Sequence, residues 1–442
     1  MPESWQHTVA ESFGDVTIAI KVLNCWRDHG PKAADQLLAQ IPECQRHGFL
    51  IQELALRLNQ APAPRLLVDG VWLSRATGGV TRVWDLILRT WQLPGLFGSN
   101  APLLIIDRQS CLSRMATFPV YESSGIDPLD PQALAGIAPE NSRIVSDWGA
   151  NVFLSSWIST SDEHAPSCAE VALVHDCMPE RSCIHPALKL LRRRWLKGAS
   201  AHLAVSAATA MDLEGLLSLQ SRSVPWCHQA PDPLFATTVS EPGASGVWSC
   251  LRERARLQDP FVLLPSTSAL GTYKNPELVA RSLADPALGE IQLVLCGMAA
   301  DQRCRELEEA FPHLSGRTLA AGFSDPELAL VYRHALAVVI PSRIEGFGLP
   351  AVEAMAVDGT VLVADSRGLR EAGAEAALRF SPEHPKQLAD LLRMLLDASA
   401  HGALHAALMR RRRRRLQRLH PDLFGLCLLA QARVAHDSWL PS

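Results

Sequence analysis

The feature that most constrains this chain is a repeated alternation of short apolar segments with amphipathic helical segments. Five short apolar segments lie in the first half, at 66–68, 103–106, 152–154, 171–174 and 203–205. A second series lies at 261–264, 291–295, 318–320, 337–340 and 361–364. Short buried strands that alternate with helices form parallel sheets covered on both faces. The sequence therefore predicts an α/β protein with two doubly wound, Rossmann-like domains in series.

Length and local composition indicate where the domains divide. The chain has 442 residues, more than the roughly 250–300 at which one hydrophobic core stops growing. The polar, Gly- and Ser-containing segment Thr237 to Trp248 predicts the boundary between domains. We expect four parts, the last of which could cross back to the first domain: an N-terminal helical extension at 1–62, Rossmann-like domains at 63–236 and 249–420, and a helical tail at 421–442.

Composition narrows the class of protein. The hydrophobic fraction of 48% is that of a folded globular chain, and the formal charge of −4 does not favour nucleic acid as a partner. The start of the chain lacks the charged-then-apolar layout of a signal peptide. Eleven cysteines without a C-x-x-C pair predict reduced thiols and no metal site. We therefore expect a cytoplasmic protein without a cofactor.

The residues best suited to chemistry follow the apolar segment that ends at Ile340. Gly346 and Gly348 let a ligand approach the backbone, and a helix is predicted to begin near Leu349. The N–H groups and dipole of a helix N-terminus favour an anion. Glu345 on the loop and Glu353 one turn into the helix are acceptors for sugar hydroxyls. These residues predict a site for an anionic, polyhydroxylated ligand, although an ordinary strand–helix corner with two surface carboxylates fits the same spacing.

The segment Glu345 to Glu353 resembles the E-x7-E motif of retaining glycosyltransferases, especially the family-four group. The likeness runs from residue 321 to residue 378 and extends to bacterial mannosyl- and glucosyltransferases of polysaccharide assembly. It implies a GT-B fold, with two Rossmann-like domains facing a cleft, and a nucleotide-sugar donor. Glu345 would hold the transferred sugar, and Glu353 the ribose hydroxyls. The other donor-binding residues implied in this region are Gly346, Phe347, Gly348, Leu349, Gly322 and Phe323.

Four further positions resemble parts of the same family's site. Lys274, in a loop after the first strand of the second domain, would neutralise the donor diphosphate. Gly78 and Gly79 match the glycine-rich loop at the cleft, and Ser206 matches a strand end that faces it. The pair His175–Asp176 matches a His-Asp pair near the donor sugar. Three of them also have a plain structural interpretation: a surface lysine for Lys274, a flexible turn for the two glycines and a structural histidine for His175.

The chain departs from the family pattern in one cation. Many relatives carry an arginine a few residues before the lysine, and residues 266–273 contain none. Arg82 and Arg343 are the candidate substitutes. The resemblance implies retention of anomeric configuration without a bound metal, by substitution on the front face of the sugar.

Two basic clusters, Arg192–Arg194 and Arg410–Arg415, lie in predicted helices. Basic helices dock on anionic lipid, which suits a lipid-linked acceptor at the inner membrane face, and a solvated helix face is the alternative. The sequence thus predicts a hexosyltransferase that uses a nucleoside-diphosphate sugar and a glycan or lipid-linked acceptor. The competing hypothesis is a non-catalytic nucleotide-sugar-binding or scaffold relative. A nicotinamide-dependent enzyme lacks support because no G-x-G-x-x-G follows the first strand.

Overall fold

A computed structural model describes residues 16–46, 48–75, 78–97, 102–112, 115, 117–181, 185–266, 268–297 and 299–439. The chain divides into two compact units. The first unit combines residues 1–229 with residues 420–442, and the second contains residues 230–419.

The first unit contains one parallel sheet, and helices precede, connect and follow its strands along the chain. Its strands are β1 (Leu66–Asp69), β2 (Leu103–Asp107), β3 (Val120–Glu122), β4 (Val152–Ser155), β5 (Ala169–Val174) and β6 (Ala201–Ala204). Its helices are α1 (Val16–His29), α2 (Pro31–Gln40), α3 (Phe49–Leu58), α4 (Gly79–Trp91), α5 (Pro131–Gly136), α6 (Ala138–Trp148), α7 (Met178–Arg181), α8 (Pro186–Gly198), α9 (Ala207–Leu217) and α19 (Leu423–Ser438), with a 3-10 turn at Glu43–Gln45.

The second unit repeats the plan. Its strands are β7 (Phe261–Leu264), β8 (Gln292–Leu295), β9 (Thr318–Ala320), β10 (Ala337–Ile340), β11 (Val361–Ala364) and β12 (Leu378–Phe380). Its helices are α10 (Pro233–Ser240), α11 (Ala244–Ala255), α12 (Pro276–Ser282), α13 (Ala300–Ala310), α14 (Asp325–His334), α15 (Leu349–Ala356), α16 (Arg367–Gly373), α17 (Pro385–Leu396) and α18 (Ala398–Leu416), with 3-10 turns at Pro286–Leu288 and Pro312–Leu314.

Both sheets have the strand order of a doubly wound fold. Within the described residues the orders are β3-β2-β1-β4-β5-β6 and β12-β11-β10-β7-β8-β9, and each neighbouring pair is parallel. The central strands are buried throughout because helices cover both faces. The order reverses between β1 and β4 and between β10 and β7, and ligands of such sheets bind at the carboxyl ends of the strands beside that reversal. The predicted pair of doubly wound α/β domains is confirmed.

The predicted boundary at Thr237 to Trp248 differs from the observed one. That segment lies in α10 and α11, and the chain passes from the first unit to the second at Gln229–Ala230. Its Gly, Ser and Pro residues lie at helix ends: Gly243 precedes α11 with a φ of 95°. The Gly, Ser and Pro residues of this segment therefore mark the connection between two helices, not the boundary between two domains.

The C-terminal helix α19 belongs to the first unit, where it packs against α3, α4 and the sheet. Trp91 Nε1 donates to the carbonyl oxygen of Gly425 at 3.0 Å, and Thr90 Oγ1 donates to Asp422 Oδ1 at 3.1 Å. Arg433 forms an ion pair with the buried Glu53 of α3. The helices at the start of the chain are thus packed against its last helix rather than extending from the fold.

The arginine run Arg410–Arg415 divides between two faces of α18. Arg412 and Arg415 are buried, whereas the four others are exposed. Arg412 Nη1 donates to the carbonyl oxygen of Asp358 at 2.8 Å, and Arg415 donates to the carbonyl oxygens of Glu371 and Ala372 at the end of α16. Cationic donors at the last carbonyls of a helix satisfy groups that lack intrahelical partners. Two of the six arginines therefore hold the second unit together, which corrects the expectation that the whole run faces solvent or lipid.

Among the described residues, no helix combines the length and the apolar character that crossing a membrane requires.

Gly425→Val is expected to lower the free energy of unfolding by about 1–3 kcal/mol, because the added side chain overpacks a filled contact. A Cβ at Gly425 would lie 2.7 Å from Thr90 Cβ, which is fixed close to the backbone of α4. The matched control is Gly215→Val in helix α9, where a Cβ meets nothing within 4 Å. Urea unfolding measures both, and equal midpoints in the two variants would contradict the packing of α19.

Candidate functional site

Lys274 and Glu345 meet at the strand-order reversal of the second sheet. Lys274 lies in the loop after β7 and Glu345 in the loop after β10, and these two strands are neighbours. Lys274 Nζ donates to Glu345 Oε1 at 2.6 Å, and the two side chains are 18% and 17% exposed. Both are residues predicted from the sequence, and the structure brings them into direct contact. Both side chains are mostly buried and keep a solvent-exposed part.

The two loops are also joined through their backbones. The Arg343 N–H donates to the Tyr273 carbonyl oxygen at 2.8 Å. Beside it, the side-chain amide of Asn275 donates to the carbonyl oxygens of Pro341 and Pro382. Asn275 is not among the residues predicted from the sequence. Its position between a predicted functional lysine and a proline at the first turn of α12 was the available signal.

Glycines shape the loop that carries Glu345. Gly348 precedes α15 with a φ of 112°, and a Cβ there would lie 2.6 Å from Leu369 Cδ2. A Cβ at Gly368 would lie 2.3 Å from the Glu345 carbonyl oxygen and 2.9 Å from that of Gly346. Helix α16 therefore packs directly on the backbone of the loop. Phe347 and Leu349 are buried, and their contact with a ligand stays a prediction.

Glu353 lies in α15 with no exposed surface. Tyr332 Oη donates to Glu353 Oε2 at 3.2 Å, and the Tyr332 ring stacks on Phe235 with centroids 5.9 Å apart. A buried carboxylate needs such donors to stay in place. Its contact with a ribose stays a prediction.

Arg343, a candidate substitute cation, is held by carboxylates. Its Nε donates to Glu383 Oε1 at 2.8 Å, and its Nη1 lies 3.5 Å from Glu277 Oε1. The hydrogen bond from Arg343 lowers the pKa of Glu383, and that bond likewise raises the pKa of Arg343. An anionic ligand would have to compete with both carboxylates. The other candidate, Arg82, lies on α4 of the first unit.

Gly322 and Phe323 follow β9, which is separated from β7 by β8. Neighbouring strands lie about 4.8 Å apart, so these residues lie on the order of 10 Å along the sheet from the strand preceding Lys274. The next residue, Ser324, begins α14 with a capping box to Glu327. This loop lies on the same edge of the sheet as the Lys274 loop, two strands away.

In the first unit, His175 and Asp176 follow β5, and Arg192 of α8 lies beside them. Burial and the charge of Arg192 lower the pKa of His175 to about 3, so its ring is neutral at pH 7. Arg192 forms a 2.6 Å ion pair with Glu180 and donates to the Asp176 carbonyl oxygen. Arg192 is buried, which corrects its assignment to a basic surface. It is a structural support for the His175–Asp176 turn.

Gly78, Gly79 and Ser206 lie at helix starts of the first unit. Gly78 precedes α4 with a φ of 128°, a conformation that favours glycine, and open space surrounds a Cβ at either glycine. Ser206 is fully buried, and its Oγ accepts from the Thr209 N–H at 3.0 Å as the N-cap of α9. Ligand contacts by these three residues stay predictions. Among the described residues, no cluster of three His, Cys, Asp or Glu side chains could hold a metal ion.

Comparison with known proteins agrees with this geometry. Residues 251–414 match the family described as glycosyl transferases group 1. The D-inositol 3-phosphate glycosyltransferase of Xylanimonas cellulosilytica is 31% identical over 175 residues, covering 38% of this chain and 42% of that protein. D-inositol 3-phosphate glycosyltransferase 1 of Catenulispora acidiphila is 44% identical over 179 residues, covering 35% and 42%. The chain thus spans about two fifths of the length of these relatives.

The crystal structure of Anabaena HepE in complex with UDP and glucose has the same fold, with a TM-score of 0.61 and 15% identity over 83% of this chain and 98% of that one. The resemblance to glycosyltransferases that the sequence predicted is confirmed, with its two Rossmann-like domains. The roles assigned to single residues, including the E-x7-E pair, stay predictions.

Proposed function

We propose that this protein is a glycosyltransferase that moves a hexose from a nucleoside-diphosphate sugar to a glycan or lipid-linked acceptor. The observation that carries the proposal is the Lys274–Glu345 pair at the strand-order reversal of the group 1 domain. The relatives named above are glycosyltransferases, and a protein of the same fold binds UDP and glucose. Cell-surface polysaccharide synthesis is the process we propose.

The chemistry follows from the charges at the two loops. Lys274 leaves Glu345 to neutralise the diphosphate, whose charge grows as the bond to the sugar breaks. The N-terminus of α15, where Gly348 supplies no side-chain cap, offers backbone N–H groups to the same phosphates. Glu345 then holds the transferred hexose. We propose retention of configuration without a metal, with a donor phosphate oxygen accepting the proton of the attacking hydroxyl.

Thermal unfolding with UDP, GDP, ADP and dTDP tests the donor site. One nucleoside diphosphate is expected to raise the melting temperature by a few degrees, because ligand at 100 times its dissociation constant stabilises by about 2.7 kcal/mol. The shift is expected to become much smaller in Lys274→Ala and in Glu353→Ala, because each variant binds the nucleotide more weakly. Lys386→Ala, which removes an exposed lysine of α17, is the matched control and should retain the shift. A wild-type protein that no nucleotide stabilises would contradict the proposal.

The competing candidate is a non-catalytic relative that binds the donor. It is favoured because Arg343, a candidate for the second cation that many relatives carry, is paired with Glu277 and Glu383. Release of hexose from the donor in the absence of acceptor separates the two candidates, since a scaffold binds the nucleotide without turnover.

For location, we propose a cytoplasmic protein that contacts the anionic inner face of the membrane through α8. Leu190 is 69% exposed there, and Arg193, Arg194 and Lys197 are exposed beside it. An exposed apolar side chain flanked by cations suits an interfacial helix. Flotation with vesicles of phosphatidylcholine, with and without phosphatidylserine, tests this. Binding that requires phosphatidylserine and is lost in Arg193→Glu/Arg194→Glu supports it, and equal flotation of both vesicle types opposes it.

A further inference from the structure

Asn275 occupies an uncommon backbone conformation directly after Lys274. Its φ is 56°, in the left-handed region, and the residue is fully buried. Asparagine tolerates this region better than most residues. It stands at the N-cap of α12, yet its side chain makes no capping hydrogen bond to that helix. An asparagine at an N-cap usually accepts from the helix N–H groups, so its side chain serves another purpose here.

That purpose is a bridge between loops. Asn275 Nδ2 donates to the Pro341 carbonyl oxygen at 3.3 Å and to the Pro382 carbonyl oxygen at 2.9 Å. Pro341 directly follows β10 and begins the loop of Glu345, and Pro382 follows β12. Both acceptors are carbonyl oxygens, which fixes the orientation of the amide. Oδ1 is then left buried without a hydrogen-bond donor among the described residues.

We propose that Asn275 is a positioning residue for the donor site, an inference that rests on the proposed function. Its amide holds the loop of Lys274 against the loop of Glu345 and thereby sets the ammonium where a nucleoside diphosphate meets it. The Arg343 N–H bond to the Tyr273 carbonyl oxygen is a second tie between the loops. It lies on the opposite side of Lys274 in sequence. On the Asn275 side, the amide bonds act together with the longer ion pair of Arg343 with Glu277, at 3.5 Å.

Asn275→Gly removes the side-chain amide that bridges the loops and keeps the backbone conformation, because glycine adopts a positive φ without strain. The variant is expected to bind about tenfold more weakly to whichever of UDP, GDP, ADP and dTDP stabilises the wild type, as misplacing one charged hydrogen bond implies. Arg256→Gly is the matched control, since Arg256 is an exposed residue with a φ of 57° before β7. Its affinity should equal that of the wild type.

The double variant Lys274→Ala/Asn275→Gly distinguishes positioning from general support. If Asn275 acts through Lys274, adding Asn275→Gly to Lys274→Ala should weaken nucleotide binding by less than about twofold. A tenfold loss in both backgrounds overturns the inference, as does an Asn275→Gly variant with a lower melting temperature and unchanged affinity.

If Asn275→Gly does not fold, Asn275→Ser replaces it. A hydroxyl has one donor, so it cannot form both of the hydrogen bonds that the amide makes to the two carbonyl oxygens. Failure of the wild type to bind any of the four diphosphates overturns the proposed function, and the inference with it. Binding by the wild type and equal binding by the variant overturns the inference alone.

Discussion

Glu345→Gln is expected to lower the turnover number for sugar transfer by about 10²–10³-fold, the effect of removing one preorganised electrostatic group from a reacting centre. Nucleoside diphosphate affinity should remain within a few-fold. The reason lies in the 2.6 Å pair of Lys274 Nζ with Glu345 Oε1. A neutral amide releases the ammonium from its intramolecular partner, so the phosphates lose no attraction while the sugar loses a carboxylate.

The measurement is the steady-state rate of hexose transfer, or of donor hydrolysis, alongside calorimetric titration of the nucleotide. Glu383→Gln is the control because Glu383 is an exposed carboxylate that pairs with Arg343 of the same loop. It should change the rate by less than about threefold, as exposed pairs contribute little. Equal rates in Glu345→Gln and the wild type would remove Glu345 from the chemistry.

The apolar segments of the sequence predicted ten of the twelve strands in the described residues and missed one edge strand of each sheet. Apolar runs such as Val361–Ala364 have no alternative to burial between helices. The two strands not predicted, β3 and β12, are three residues long, contain Glu122 and Arg379, and lie at the sheet edges. An edge strand has one paired side and a solvated surface, so its residues need not be apolar. Pairing rather than hydrophobicity defines such strands.

The candidate site divides in a similar way. Lys274 and Glu345 were each selected from local sequence, but their contact depends on β7 lying beside β10, which is a property of strand order. In the arginine run, the spacing of the residues indicates burial that the number of charges does not. Leu408, Arg412 and Arg415 are buried and recur at spacings of four and three, which is the period of one helix face. A count of charges gives the run six surface arginines, whereas the periodicity assigns two of them to the interior.

Asp69→Ala is expected to destabilise the protein by about 3–5 kcal/mol, the cost of leaving a buried charge without its partner. Asp69 ends β1 and is fully buried. Its Oδ1 accepts from Arg108 Nε at 2.7 Å, and its Oδ2 accepts from Ser159 Oγ at 2.6 Å. Burial opposes the charge of Arg108, but the charges of Asp69 and Glu140 and the hydrogen bonds to them raise the pKa of Arg108. An arginine stays protonated in proteins, so Asp69→Ala leaves a buried guanidinium with Glu140 as its remaining charged partner. Urea unfolding of the first unit measures the loss.

Two comparisons make the result specific to the buried pair. Asp127→Ala removes a carboxylate that is 61% exposed and pairs with Arg75, and it should cost less than about 1 kcal/mol. The double variant Asp69→Ala/Arg108→Met should recover part of the loss, because an apolar side chain replaces the unpaired charge. Equal stability of Asp69→Ala and Asp127→Ala would contradict the argument.

The same network sets a dependence on pH through Glu140, which accepts from Arg108 Nη1 at 2.9 Å. Burial opposes ionisation of Glu140, but hydrogen bonds from Arg108 and Ser123 lower its pKa below the usual 4.5. A carboxyl with a lowered pKa stabilises the fold above its unfolded-state pKa, and that stability is lost as the pH falls through the folded-state value. The wild type should therefore lose stability below about pH 4.5. In Arg108→Met that acid-dependent part should shrink, since Glu140 no longer gains a charged partner on folding, and an unchanged acid profile would show that the pair with Arg108 does not set the titration.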